Sequence, residues 1–406
     1  LNNSKLNYKN TFILGLGLFC ISITWALYNA FVPIFLSKYI SSVFIIGLIM
    51  TFDNIAAITL QPFFGALSDR TNTRYGRRMP YLLIGIPASA LFFLLIPYEF
   101  SFVSLIAIVM CFNIIMSIYR APTVALMPDL TPSPFRSKAN GIINFMGGFG
   151  AFLAYFVGSK IYDYDKHVPF MGTSLLMILA VIILYKVIKE PPVPALVPEE
   201  KENSGIISAF MEILSDSDKS ALFILLAIFF WFIGYQGIEA LFTLYGVKYL
   251  GIKESAAALT LGFFSLSFLI FAIPSGFIAT RIGRKRTIKI GLLGLMIIFG
   301  AGFFSKDIIV IRVFMLIGGM FWAFVNINSY PMVVEMTTDS KIGAYTGLYY
   351  FFASMSAILG PPLFGKLIDL MGYGVLFLMA FCFFLLAFIC IIYVKKGEYK
   401  AIGDEQ

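Results

Sequence analysis

A single histidine, His167, is all the imidazole in 406 residues, and only 13% of the side chains are charged. Soluble domains carry about 25% charged residues. With 59% of residues hydrophobic, that shortage excludes a soluble globular chain, because one core cannot hide so much apolar surface and a lipid solvent is required. The four cysteines, Cys20, Cys111, Cys382 and Cys390, lie inside apolar runs and form no CxxC pair, so neither a disulfide framework nor a metal site is expected. The sequence holds no phosphate-cradling GxxxxGK[ST] loop, no His/Cys cluster and no Ser–His pair. ATP-driven pumping and hydrolysis are therefore unsupported; the chain is expected not to be an enzyme and to need no cofactor. The +8 net charge comes from basic residues at the ends of apolar runs. They are not interleaved with aromatics on a polar face, so nucleic acid is not an expected partner.

What the chain does have is long apolar runs. Twelve are read, at 12–36, 43–66, 80–97, 101–127, 139–161, 169–188, 220–245, 256–279, 287–305, 307–331, 343–366 and 373–394. At 1.5 Å per residue each can cross a hydrocarbon layer of about 30 Å, the third only barely. The first run is too long for a signal-peptide core and no A-x-A-like cleavage site follows it, so a retained helix is expected. An even number of crossings puts both termini on one side. Of the 30 Lys and Arg, 21 fall on the termini and the connections of that side, 7 on the opposite connections, and Arg120 and Arg312 inside runs. That bias places both termini in the cytoplasm of a plasma-membrane protein.

The one long connection, 189–219, holds PPVPALVPEEKENSG. Its prolines and charges predict a solvated linker with a short amphipathic helix at 205–214. It divides the chain into 1–188, 189–219 and 220–406. The expected fold is all-α, twelve transmembrane helices in two pseudo-symmetric six-helix bundles. The halves match in detail. Gly65–Pro80, GALSDRTNTRYGRRMP, returns as GFIATRIGRKR at Gly276–Arg286. Asp129 to Gly141 repeats the spacing of Glu335 to Gly347; Pro122 and Pro331 precede them, and Gly-rich helices ending in Gly158 then Asp163, and Gly365 then Asp369, follow. Three matches in order mark an internal repeat.

Gly65, Asp69, Arg70, Gly76, Arg77 and Arg78 resemble the G-x-x-x-D-R-(x)-G-R-R signature of the major facilitator superfamily, with a five-residue insertion that includes Arg74. The longer string from Gln61-Pro62 through Arg78-Met79-Pro80 is similar to the plant sucrose/proton symporters and their animal and bacterial relatives. It is more distantly similar to the glycoside–pentoside–hexuronide cation symporters. Tyr119-Arg120-Ala121-Pro122 through Asp129-Leu130, then Arg136 and Ala139-Asn140-Gly141, resembles the same family's helix 4–5 segment. The resemblance is specific over about residues 50–160 and looser beyond. It implies a central substrate cavity lined by helices 1, 4, 7 and 10, and cation-coupled sugar uptake. It also implies a clamp at the loop motif that holds the cytoplasmic side closed. In the second copy Thr280 stands where Asp69 would be. The plant-type coupling aspartate, eleven residues before the arginine matching Arg120, is here Val109.

Polar groups inside the runs carry the functional reading, since an ionised side chain at bilayer depth costs about 2.5–3.5 kcal/mol and faces the bundle interior. Asp53, Arg120 and Glu239 are such groups. Helical spacing groups Asn113, Ser117 and Arg120 on one face of run 4, and Ser22, Trp25 and Asn29 on one face of run 1. Run 7 carries Trp231, Tyr235 and Glu239; run 10 carries Trp322, Asn326 and Tyr330. Indole planes beside amides and carboxylates suit a sugar, which has an apolar C–H face and a hydroxyl rim. Trp25, Asn29, Asn113, Arg120, Trp231, Glu239, Trp322 and Asn326 are the expected substrate contacts. The plainer readings are interfacial anchoring for the indoles and interhelical hydrogen bonding for the amides. Asp53 is the expected cation-coupling residue, with Glu239 second; a structural pairing of Asp53 with Arg120 or an amide is the alternative. His167, in a loop with Asp163 and Asp165, reads as a solvated residue, and topology anchoring is the plainer alternative for Arg70, Arg74, Arg77 and Arg78.

The expected function is cation-coupled symport, with a proton or sodium ion, of a sugar or glycoside such as a disaccharide. The partners are that solute, the cation and the lipid bilayer, with the chain acting as a monomer. A facilitator or exporter of amphipathic compounds on the same fold, and a sugar sensor without transport, are the rival readings.

Overall fold

The computed structural model describes residues 6–132, 135–190, 206–337 and 341–396. Their regular structure is all helical, with no strand among the described residues. Twelve of their helices are long and apolar enough to cross a membrane. They are α1 (Tyr8–Leu36), α2 (Val43–Arg70), α3 (Met79–Tyr98), α4 (Phe102–Leu130), α5 (Lys138–Tyr162) and α6 (His167–Val187), then α7 (Ser220–Lys248), α8 (Glu254–Ile282), α9 (Arg284–Phe303), α10 (Ile308–Val334), α11 (Ile342–Met371) and α12 (Tyr373–Tyr393). The proline-rich part of the expected linker lies outside the described residues. The short helix expected within it is present at Ile206–Ser215, held to the loop before α11 by the Lys341 ammonium on both Glu212 carboxylate oxygens at 2.6 and 2.8 Å.

Local chemistry sets the starts of several helices. Side-chain oxygens of Asn7, Ser42, Ser101 and Asp307 each accept a first-turn N–H that has no partner inside its helix. The spans run past the expected hydrophobic limits, as where α2 continues to Arg70, because a helix does not stop where hydrocarbon does. α2 departs from the expected uninterrupted helix. It is interrupted at Thr51, whose hydroxyl donates to the Leu48 carbonyl at 2.9 Å. A Thr side chain that bonds back to the preceding turn competes with the helical ladder. α5 contains a π-helical turn at Leu153–Gly158.

By packing, the described residues form two units. The first gathers residues within 1–41, 52–199 and 253–262; the second gathers those within 42–51, 200–252 and 263–406. The first turns of α2 and α8 thus pack with the unit supplied mainly by the other half of the sequence. In the first unit α1 is the most enclosed span, with Phe31 stacked on Tyr162 at 3.9 Å and Phe93, Phe112 and Phe170 around it. In the second, α7 holds that place, beside Phe299, Phe377 and Phe384.

Small residues let helices approach closely, the main packing device where lipid removes the hydrophobic drive between them. Gly319 of α10 is the tightest case. A Cβ there would be driven into the Phe264 carbonyl oxygen of α8, which is backbone and cannot swing away. Gly319→Ala is expected to lose about 1–3 kcal/mol, read as a lower melting temperature of the purified protein. Gly276, where nothing lies in the path of a Cβ, should tolerate alanine.

Candidate functional site

In the first unit α1 and α4 pack an aromatic cluster beside one amide. The rings of Trp25, Tyr28 and Phe112 meet pairwise at 5.1, 5.6 and 5.8 Å between centroids. Asn113, fully buried, donates from Nδ2 to the Tyr28 oxygen at 3.0 Å. That leaves Asn113 Oδ1 as a buried acceptor and Trp25 Nε1–H as a buried donor with no hydrogen-bond partner among the described residues. Orphaned buried polar atoms are costly, about 1–3 kcal/mol each, and a solute offering hydroxyls would satisfy both. Tyr28 was not among the expected contacts. It stands three residues after Trp25, the spacing of Ser22 to Trp25, so helical spacing sets it beside the face through Ser22, Trp25 and Asn29. Asn29 is half-buried on the same helix.

Asp53 lies in the first turn of the second segment of α2, just past the interruption at Thr51. The positive end of that segment favours a carboxylate. Its Oδ1 accepts from Asn54 Nδ2 at 2.8 Å, and its charge acts on both Tyr28 and Arg120. The fold therefore brings Asp53, Arg120, Tyr28, Asn113 and Trp25 into one neighbourhood.

The second unit is arranged differently. Trp231 is completely buried and its Nε1–H has no partner among the described residues. Trp322 is buried too, one face stacked on Tyr235 at 4.4 Å and 2° and its edge against Phe232 at 5.6 Å. Its π surface is already used by protein on one side. Glu239 and Asn326 are half-buried. Asn328, not singled out in the sequence, is buried and bonded to the Phe324 carbonyl at 2.9 Å and Ser275 at 3.3 Å.

The basic loop between α2 and α3 is a closed network. Arg78, buried, donates from Nε to Asp129 at 2.9 Å, from Nη1 to the Gly65 carbonyl at 3.2 Å and to Ser68, and from Nη2 to Asp69. Arg77 pairs with the other Asp129 oxygen at 2.7 Å. Gly76 has φ +103°, a left-handed turn that favours glycine, which aims the next three N–H groups at one point. The Glu190 carboxylate fills that point, accepting from Arg77 N at 2.8 Å, Arg78 N at 2.9 Å and Met79 N at 2.6 Å. Asp69 thus pairs with a loop arginine, and the start of α3 is held by Glu190, which the sequence did not single out. Arg70 and Arg74 are exposed. In the second copy Gly283, φ +92°, precedes Arg284, which pairs with Glu335, while the Thr280 hydroxyl bonds back to the Phe277 carbonyl at 2.8 Å. Half of the network is thus repeated.

His167 is the first residue of α6, at the edge of the loop expected for it, its Nδ1 2.7 Å from Asp165 and its ring 4.6 Å from Tyr98. That contact and the His167 N–H hold the Asp165 carboxyl below the usual carboxylate range. An apolar groove of about 330 Å³ between α3 and α4, with Tyr81, Ile84 and Ile115 among its walls, lacks the polar groups a hydrophilic solute needs.

The sequence profile of the Major Facilitator Superfamily matches residues 14–263 and 247–405. The chain belongs to the major facilitator superfamily. It is a multi-pass membrane transporter, not an enzyme, with twelve helices among its described residues long and apolar enough to span a membrane. Relatives within this superfamily include the isoprimeverose transporter of Lactiplantibacillus pentosus, 23% identical over 91% of this chain and 81% of that protein. The hexuronate transporter of Bacillus subtilis is 23% identical over 84% of this chain and 85% of that protein. Among solved structures, the nucleoside transporter NupG superposes with a TM-score of 0.79 at 13% identity, covering 95% of this chain and 100% of that one. A bacterial homologue of the human lysosomal transporter Spinster, in an inward-facing state, gives 0.72 at 13% identity over 97% and 95%. These superpositions establish the fold.

Proposed function

We propose that this transporter is a cation-coupled symporter of a sugar or glycoside, working by alternating access in the cell membrane with both termini in the cytoplasm. The observation that carries the reading is the cluster of Trp25, Tyr28 and Phe112 beside Asn113, with a buried donor and acceptor left unpartnered and with Asp53 and Arg120 within electrostatic reach of each other. Aromatic faces suit the C–H surface of a pyranose and the two orphan atoms suit its hydroxyls. Arg120 is proposed to bind hydroxyls as well, and Asn29 to extend the site. Trp231, Glu239, Trp322 and Asn326 are the proposed contacts of the second unit, where Trp322 shapes the site more than it stacks. Isoprimeverose and hexuronate, named for two relatives, are both carbohydrates, which favours the same class. Asp53 is the proposed carrier of the cation, a proton or sodium ion, with Glu239 as alternate, and a monomer is proposed to suffice.

The test is uptake into liposomes holding the purified chain. Labelled disaccharides and pentose- or hexose-containing glycosides should accumulate under an imposed proton or sodium gradient and exchange in counterflow without one. If none moves under either gradient while an amphipathic compound does, the facilitator or exporter reading replaces this one. Binding without flux leaves the sensor.

A further inference from the structure

Two aspartates outside the polar cluster occupy matching places in the repeat and do the same work. Asp369, near the end of α11, accepts three hydrogen bonds from the first turn of α2. Its Oδ2 takes Ser42 Oγ at 2.6 Å and Phe44 N at 3.0 Å, and its Oδ1 takes Val43 N at 2.7 Å. Lys366, one turn back, stands 6.0 Å over the Phe44 ring. The backbones close on each other beside it, since a Cβ on Gly47 would lie 2.6 Å from the Pro361 carbonyl oxygen, and one on Gly365 would strike that of Val43. Asp163, just past the end of α5, accepts from Ser255 Oγ in the first turn of α8 at 2.6 Å, and its neighbour Tyr162 bonds the Glu254 carboxylate. Here too a glycine allows the approach, a Cβ on Gly262 falling 2.8 Å from that of Tyr155.

α2 and α8 are also the two helices that change unit along their length, α2 at its interruption by Thr51 and α8 after Gly262. If the units move during transport, these helices must bend or their first turns must detach. Carboxylate hydrogen bonds to a helix start suit a reversible hold, because water replaces them readily once the contact opens, whereas a greasy seal would have to be rebuilt.

We propose that Asp369 and Asp163 are paired gating residues. Each pins the first turn of a unit-crossing helix and must release it for the membrane face opposite the termini to open. The proposal rests on alternating access but not on sugar or cation, so its test uses neither. In a background with Cys20, Cys111, Cys382 and Cys390 replaced by serine, Ile46→Cys on α2 or Ala257→Cys on α8 supplies one thiol, at positions 1% and 0% exposed. The full chain in nanodiscs is then treated with a water-soluble maleimide. Asp369→Asn should raise the labelling rate at position 46, and Asp163→Asn that at position 257, by about tenfold, the worth of one charge-assisted hydrogen bond. Asp369→Glu should return most of the protection, which a general loosening of the fold would not allow. Ser42→Ala, which deletes only a hydroxyl, gives a second variant and should raise the rate at position 46 by a smaller factor. Rates at position 46 within twofold of the parent in both folded Asp369→Asn and Ser42→Ala would overturn the proposal. Failure of sugar uptake with these rates raised would overturn only the substrate reading.

Discussion

Asp53→Asn should abolish gradient-driven accumulation while leaving exchange intact. A membrane potential of 100 mV is worth about 2.3 kcal/mol per elementary charge, which corresponds to an accumulation of up to about 50-fold for one coupled cation. The variant should equilibrate its solute at a ratio near one. Asparagine keeps the size of the side chain and its hydrogen-bonding oxygen but cannot take up or release a proton, and it removes the charge that acts on Arg120 and Tyr28. Counterflow needs no net movement of cation and should persist. Both are measured in the same liposomes, one with and one without an imposed gradient. Normal accumulation by Asp53→Asn would clear this residue of coupling and leave Asp53 as a structural partner of Arg120; Glu239→Gln would then be the next variant to make.

The second large effect is on stability. Arg78→Gln should cost about 3 kcal/mol, the lower end for breaking a buried ion pair, since Asp69 is about half exposed and Asp129 keeps its bond to Arg77. One guanidinium serves Asp129, Asp69, Ser68 and the Gly65 carbonyl together. Glutamine offers two donors from one nitrogen and reaches no more than part of that set. Lysine restores the charge but not the planar fork, so Arg78→Lys should fall between. Arg70→Gln, at an exposed position of the same loop, should stay within about 0.5 kcal/mol of the parent. Thermal melting of the purified proteins ranks the three, and an Arg78→Gln variant as stable as Arg70→Gln would mean that the network is a topology signal without structural weight.

The parts of this molecule that could be read in one dimension are those whose physics is local. The opposite charges of Asp69 and the loop arginines lie within ten residues, and their pairing follows from sequence. The counterpart at Gly283-Arg284 was legible through repetition, and its missing acid through Thr280. Glu190 was not, because it reaches α3 from more than a hundred residues away and sits in a stretch that reads only as the start of a linker. Tyr28 lies three residues from Trp25, about 60° around the helix, so spacing allowed it without selecting it, and only the approach of α4 decides that it meets Asn113. The interruption at Thr51 has neither Pro nor Gly to announce it.

By itself, then, the sequence determined the number of membrane crossings, the sorting of cationic side chains between connections and the two-fold repeat. Each of these sums over neighbouring residues, and burial in lipid needs no further partner. Tertiary structure alone decided that Asp369 holds Ser42, that Glu190 seats the start of α3, and that Trp25 and Asn113 keep a donor and an acceptor unspent. Hydrogen-bond partnership depends on which helices are brought face to face, and that apposition is set by the packing of whole helices, glycine against ring and backbone against backbone.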